Sequence, residues 1–505
     1  MAVPKIIGIE TEYGIMVRGS NDWNPVSASS LLINAYLGAD GSGARNEKSA
    51  PIAWDFVDET PGADAREFLP LEFALPPEVE THLVNAVLTN GARYYVDHAH
   101  PEISTPECAD ALSVVLFDRA AEMIGVKSME AARELLPPGQ ELVLYKDNSD
   151  RKGNAYGTHE NYLLDRNLPF GQIVTGATWH FVSRQIFTGS GKVGSELPGV
   201  GAQQVPYQIT QRAEHFEEEV GLETTLKRPI VNTRDEPHAD SQRYRRLHVI
   251  VGDANIAQYA TFLKVGTSAL VFAMIEDGAM NLDREYDDPV RALHQVSHDL
   301  TLARPIALKG GRTITALEAQ FDLLEQAEKY TAQRGFDNVG GDAVGRMILD
   351  TWSQVLTGLE TDPDSVASKV DWVAKKRLLD GFRERHDCDW GDSRLRALDL
   401  QYHDMRPDKS LAARAGLDRL VNEADAQEAM TKPPEGTRAY FRGRCLEKFG
   451  DQVVAANWDS IVFDNGDEPL RRVPMMEPTR GTRAHVGTLL DESDTVAQLL
   501  EKLGS

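Results

Sequence analysis

Positive charge is what this sequence has least of. Lys and Arg number 53 against 78 Asp and Glu, a formal net charge of −25 over 505 residues. A surface of that sign repels phosphate backbones and anionic headgroups, which excludes general nucleic-acid binding and electrostatic attachment to a membrane. Cysteine is also sparse. Cys108, Cys388 and Cys445 are odd in number and far apart, the pattern of a reducing compartment and not of a disulfide framework or a zinc site. No apolar run reaches the ~20 residues that span a bilayer, and the opening Met1-Ala2-Val3-Pro4-Lys5-Ile6 lacks the apolar core of a signal peptide. These absences predict a soluble cytoplasmic protein with neither nucleic acid nor membrane as partner.

Familiar motifs are missing too. There is no G-x-G-x-x-G after a strand, no G-x-S-x-G elbow, no H-E-x-x-H and no paired C-x-x-C. Ser190-Gly191-Lys192 fails as a phosphate loop, because Ile186 stands where the first glycine is needed and Val193 where Ser or Thr is needed. We read it as a turn.

What is present is a globular composition, 41% hydrophobic and 26% charged, long enough for more than one domain. Its chemistry is carried by polar faces of strands. In Lys5–Gly14 a period of two puts Glu10 and Glu12 on one face and Ile9, Thr11 and Tyr13 on the other. The apolar start and the bracketing Gly8 and Gly14 predict an interior strand, where two same-face carboxylates call for a divalent cation. In Arg93-Tyr94-Tyr95-Val96-Asp97, Arg93, Tyr95 and Asp97 share one face. A cation, a phenol and a carboxylate on one side are costly to bury unless that side is a site. His98, His100, Glu102 and Glu107 follow at once.

A third strand, Tyr156–Leu164, has Thr158, Glu160 and Tyr162 on one face and His159 and Asn161 on the other, and either set can face a site. Lys227, Arg228, Arg234, Arg243, Arg245 and Arg246, ending at His248, form the densest basic cluster. In so acidic a chain it suits carboxylate or phosphate binding, since guanidinium donors match both. Strand-borne Glu10, Glu12, Asp97, Glu102 and Glu160 suit Mg²⁺, which commonly bridges to substrate phosphates. The residues thus point to Mg-nucleotide-dependent chemistry at a carboxylate or amide, and composition goes no further.

Helices are expected at 27–37 and 78–89, two across 109–136, and then at 258–276, 289–303, 315–333, 343–358, 365–386 and 410–424. A strand is expected at 141–146. Gly38–Asp64, rich in Gly, Ser, Asp and Asn, reads as a mobile loop beside the catalytic strand, a lid or gate. Lys432-Pro433-Pro434-Glu435-Gly436 marks a boundary. Beyond it a small α/β module has a strand at 460–463 and a final helix at 493–503.

Gly8-Ile9-Glu10-Thr11-Glu12-Tyr13-Gly14, Asn90-Gly91-Ala92-Arg93 with Asp97 and His100-Pro101-Glu102, Gly157–Tyr162, Arg243–His248 through Gly252-Asp253, Gln401-Tyr402-His403-Asp404 and Asn457-Trp458-Asp459 together resemble the Pup ligase/depupylase family. The resemblance implies an α+β fold: a curved antiparallel sheet packed by helices, like glutamine synthetase and other carboxylate–amine ligases, over residues 1–431. A small C-terminal α/β domain over 432–505 would complete it. One branch of the family ligates Pup, a small disordered protein tag, to substrate lysines. The other deamidates Pup's C-terminal glutamine and removes Pup from pupylated proteins. The insertion before Arg93 and the wording Tyr95-Val96-Asp97-His98-Ala99-His100 resemble the deamidase/depupylase branch.

The resemblance further implies Mg²⁺ and ATP as cofactors. Glu10, Tyr95 and Glu102 would be metal ligands, with Glu12, His159 and His248 in the same shell. Arg93, Thr105 and Trp458 would contact ATP, Trp458 by stacking on the adenine. Asp97 would be the catalytic carboxylate, as nucleophile or as base for water. Arg228, Arg243, Arg245 and Arg246 are assigned to Pup's acidic side chains from their charge alone. The alternatives are the ligase, which hydrolyses ATP at every turnover, and a non-catalytic Pup-binding protein.

Overall fold

A computed structural model describes residues 1–38, 52–56, 59–60, 62–66, 83–466 and 469–504. Residues 39–51, 57–58 and 61 of the gate expected at 38–64 lie outside the described residues, as do 78–82 of the helix expected at 78–89.

The framework is a ten-stranded sheet. Its strands in chain order are β1 (Ile7–Glu12), β2 (Ala53–Trp54), β3 (Asn85–Val87), β4 (Arg93–Asp97), β5 (His100–Ser104), β6 (Thr158–Asp165), β7 (Tyr244–Val249), β8 (Val453–Ala456), β9 (Ser460–Phe463) and β10 (Arg471–Pro474). Across the sheet they run β7-β6-β1-β5-β4-β3-β2-β8-β9-β10. Every pairing is antiparallel except β2 with β8, which joins Ala53 to Ala455 in parallel. The C-terminal residues therefore extend the same sheet. They also form a second apolar cluster, in which Phe441, Leu446, Ile461 and Phe463 pack with Ile52, Trp54 and Val87.

One face of the sheet is covered. Ile7, Ile9 and Thr11 of β1, Tyr94 and Val96 of β4, Ile103 of β5 and Tyr162 and Leu164 of β6 are buried on it. Helices α1 (Pro25–Gly38), α2 (Ala111–Ala132), α3 (Phe170–Thr188) and α4 (Gln258–Glu276) supply the cover. Burying side chains of that size contributes about 1.5–3 kcal/mol each, enough to set the register and leave the alternate residues of each strand on the other face.

Several expected elements differ. Asn85–Val87 is a strand, not the end of a helix; a short apolar run fits either state, and pairing with β4 decides it. The two helices expected across 109–136 are one helix, capped by the Asp110 side chain on the Ser113 amide at 2.7 Å and ending in the 3₁₀ turn Arg133–Leu135. The run at 410–424 holds the 3₁₀ turn Ala412–Arg414, and a helix begins only at its end, Glu423–Ala429. Helix α4 is long and apolar enough to cross a membrane by composition, which the sequence reading passed over; 89% of it is buried inside this fold. Ser190-Gly191-Lys192 leads sharply from α3 into the short strand Lys192–Val193. Gly191 there has φ +70°, and a Cβ would strike the Tyr207 hydroxyl, while Lys192 is buried against Glu196 at 2.7 Å. That environment is no phosphate loop.

Candidate active site

Strand register collects the polar face into rows. Glu10 stands opposite Ser104 on β5 and His159 on β6. Glu12 stands opposite Glu102, which in turn faces Tyr95 on β4. His248 on β7 faces Asn161 on β6, and Asp97 pairs with His100 across a two-residue hairpin loop. In that loop His98 has φ +52°, a conformation non-glycine residues seldom adopt. Its Nδ1 lies 2.9 Å from Asp97 Oδ2.

Two groups of ligand atoms form on this face, each with its members within 4.8 Å of one another: Glu10, His159 and His248, and Glu12, Asp97 and Glu102. The first group is balanced by its own neighbours. Glu10 Oε1 lies 3.4 Å from His159 Nδ1 and 3.5 Å from His248 Nδ1. Asn161 Oδ1 accepts from Arg246 Nη1 at 2.6 Å and lies 3.0 Å from His248 Nδ1. Burial raises the Glu10 carboxyl, but His159, His248 and Arg246 outweigh it and hold the group well below the usual carboxylate range. Burial likewise pushes the His248 imidazole well down, against the pull of Glu10.

The second group is not balanced. Burial pushes the Glu12 carboxyl up to about 7; His159 opposes that rise and Asp97 adds to it. Glu102 is raised well above its usual range by burial and by repulsion from Asp97, Glu10 and Glu12, although the Tyr95 hydroxyl donates to it at 2.6 Å. Asp97 differs. Burial raises it, but the hydrogen bond and charge of His98 prevail, so it stays below its ordinary value and ionised. Its side chain is 37% exposed, at the rim of the site. Oxygen donors converging where two of three carboxyls are raised suit a hard divalent ion.

Apart from Glu12 and His100, these residues line a cavity of about 310 Å³. At its far end Arg93 is sandwiched, its guanidinium 4.2 Å from the Trp54 ring centroid and 3.9 Å from that of Tyr95, with Nε donating to Asn85 Oδ1 at 2.9 Å. Trp54 meets Trp458 edge to face at 5.0 Å. Thr105 lines the same cavity and accepts the Ile9 amide at 3.1 Å. The structure thus brings together Glu10, Glu12, Arg93, Tyr95, Asp97, Glu102, Thr105, His159, Arg246, His248 and Trp458 around one space, Glu12 through its atoms' convergence with Asp97 and Glu102.

Other expected residues lie elsewhere. Glu160 is on the covered face, fully buried and paired with Arg184 at 2.6 Å, so the strand turns His159 and Asn161 toward the cavity and Glu160 away. Arg245 alternates with Arg246 and is buried against Asp235 at 3.2 Å. Arg243 is 59% exposed and paired with Glu477. Arg228 donates to the Thr224 and Ala155 carbonyls and does not line the cavity. Trp54, Glu59, Glu107, Glu236, His238 and Arg438, none of them given a site role from the sequence, line the cavity or wall its lining. Arg234, expected only as part of the basic cluster, lines it too. Arg438 comes from beyond the boundary at 432–436 and had no sequence signal.

A family model described as Pup-ligase protein matches residues 5–462. The chain belongs to the Pup-ligase family. Within that family, a protein named Depupylase from Acidothermus cellulolyticus is 49% identical over 508 residues, 99% of each chain. One named Pup deamidase/depupylase from Mycobacterium tuberculosis is 47% identical over 514 residues, again 99% of each. Among solved structures, the complex between prokaryotic ubiquitin-like protein Pup and its ligase PafA superposes with a TM-score of 0.80 at 30% identity, covering 99% of this chain and 94% of that one. The Pup ligase PafA in complex with ADP does so at 0.70 and 33% identity, covering 81% and 89%. The Pup-ligase family fold is therefore the fold of this chain.

Proposed function

We infer that this chain is a hydrolase of the side-chain amide on Pup's last residue. It deamidates a C-terminal glutamine to glutamate and cleaves the isopeptide bond between Pup and a substrate lysine. The observation that carries this is the end-to-end match, 49% and 47% identical over 99% of both chains, to relatives named Depupylase and Pup deamidase/depupylase. Both reactions break a C–N bond at the same carbonyl, so one site serves both.

Mg²⁺ and ATP fit the residues present. Glu12 and Glu102 face each other with raised carboxyls, a repulsion that a hard dication relieves. Glu10, Glu12, Glu102 and Tyr95, with His159 and His248 beside them, would hold the metal. Arg93, Thr105 and Trp458 would hold the nucleotide, Arg93 through its phosphates and Trp458 through the base. When bound, Mg²⁺ supplies Lewis-acid polarisation of a substrate oxygen. Amide hydrolysis needs no energy from ATP, so the nucleotide serves as a cofactor that is not consumed stoichiometrically.

Asp97 supplies the reactive carboxylate. As nucleophile it attacks the amide carbonyl; the C–N bond breaks as the nitrogen takes a proton from water and leaves as ammonia or lysine amine, and the hydroxide that remains opens the anhydride and restores Asp97. As base it takes a proton from the water that attacks the carbonyl and passes it to the nitrogen as the C–N bond breaks. Both routes need the carboxylate ionised, the state His98 maintains.

The test is to incubate the protein with glutamine-ended Pup, Mg²⁺ and ATP and follow Pup mass together with phosphate release. Conversion to the glutamate form without matching ADP is expected. Stoichiometric ADP with ligation of Pup to lysine would instead identify the ligase, whose fold this chain shares at 30–33% identity. No conversion by folded, nucleotide-binding protein would refute the hydrolase.

A further inference from the structure

We propose that Glu107 is a positioning residue for the nucleotide pocket, locking the C-terminal part of the sheet, and with it Trp458, against the strand that carries Arg93. The proposal rests on the nucleotide site inferred above. Glu107 follows β5, where the chain leaves the sheet for α2. Its Oε1 accepts from Arg438 Nε at 2.8 Å and from Arg442 Nη1 at 3.2 Å, and its Oε2 accepts from Arg442 Nη2. Both arginines belong to the start of the helix Ala439–Phe449 and its N-terminal flank.

What those guanidiniums do besides holding Glu107 is the substance of the inference. Arg442 is fully buried. It donates to the Trp458 carbonyl at 3.0 Å, sits 5.1 Å from the Trp458 ring centroid, and donates to the Gly91 carbonyl at 3.0 Å. Gly91 is two residues before Arg93. Arg438 lines the cavity itself and donates to the Met475 carbonyl at 2.8 Å. One carboxylate is therefore shared by two buried cations that grip both walls of the pocket. The grip is charge-assisted and bidentate, the strong form of hydrogen bond. Burial raises the Glu107 carboxyl, but Arg442 and Arg438 hold it down to about 2, so it is ionised throughout the physiological range. No step of the hydrolysis needs Glu107, so its contribution falls on assembly of the binding wall.

The experiment measures ATP binding and Pup deamidation for the full-length wild type and for Glu107→Gln. The expected result is a KM and a dissociation constant for ATP raised roughly ten-fold or more, with kcat at saturating ATP falling far less, about two-fold. A variant that keeps wild-type ATP affinity would overturn the proposal and leave the nucleotide reading intact. A wild type that binds no ATP would sink that reading, and the proposal with it. Because Glu107→Gln could fail to fold, hydrogen exchange on the wild type gives an independent answer. ATP should slow exchange along Ala439–Phe449 as well as around Trp458; protection at Trp458 alone would mean that the helix is not coupled to the pocket.

Discussion

Glu10 and Glu12 lie two residues apart on one strand and on one face, yet the protein treats them oppositely. Glu10 is surrounded by His159, His248 and Arg246 and is held ionised by them. Glu12 faces Glu102 with Asp97 nearby, and burial, with repulsion from Asp97, lifts its carboxyl to about 7. The difference separates two kinds of carboxylate. One is held ionised by basic neighbours in the chain; the other is raised, and the oxygens around it converge in a way that suits a hard cation. Asp97 belongs to the second side by position but stays ionised because His98 holds it, which sets it apart from Glu12 and Glu102.

The largest effect expected is at that exception. Asp97→Asn should lower deamidation and depupylation by roughly 10³-fold or more, with ATP affinity within about two-fold of wild type by calorimetry. A parallel loss of ATP binding would place Asp97 in the nucleotide site and blur the comparison.

Next comes a contrast of sign in metal-free stability, read by urea denaturation in EDTA. Glu10→Gln should cost about 1–3 kcal/mol, because it leaves the buried Arg246 guanidinium facing a neutral group. Glu102→Gln should leave stability unchanged or raise it by up to about 1 kcal/mol, since burial and neighbouring carboxylates already disfavour the ionised form of the group it removes. Equal losses for both would erase the distinction between the two sides.

The same contrast appears with pH. The Glu12 carboxyl is raised on folding, so its contribution to stability is fully present below about 4.5 and is lost as pH rises through about 7. The Glu10 carboxyl is lowered, so its contribution is present above its ordinary range and is lost only in acid. Metal-free protein should therefore lose roughly 1–3 kcal/mol between pH 5 and pH 8, and Mg²⁺ should remove that decline. A decline that Mg²⁺ leaves untouched would locate it elsewhere. At the small end, Arg243→Ala should leave the denaturation midpoint essentially unchanged, because the Arg243 side chain is 59% exposed, and should leave deamidation within about two-fold.

Much of the candidate site was legible in the sequence because it is written in strands. A period of two placed Glu10 with Glu12, and Arg93 with Tyr95 and Asp97, and the register confirms those faces. The same rule could not orient Thr158–Asp165, where both faces are polar. Arg184, from a helix packed behind the sheet, claims Glu160, and nothing local announces it. Arg245 and Arg246 failed as a group for the same reason: adjacent strand residues point to opposite faces, so a basic cluster in sequence is split in space. Trp54, Glu107 and Arg438 escaped because their roles depend on packing between segments hundreds of residues apart. The helix expected at 410–424 was lost where apolar spacing looked periodic but the residues pack as a 3₁₀ turn and loop.

The central claim, that the Glu12–Glu102 side holds protons where a cation belongs, is tested most directly by proton release on metal binding. Mg²⁺ titrated at pH 6.5 in two buffers of different ionisation enthalpy should release about one proton or more per ion bound, and Glu12→Gln should reduce that number. Mg²⁺ binding with no proton released, in wild type and variant alike, would contradict the account.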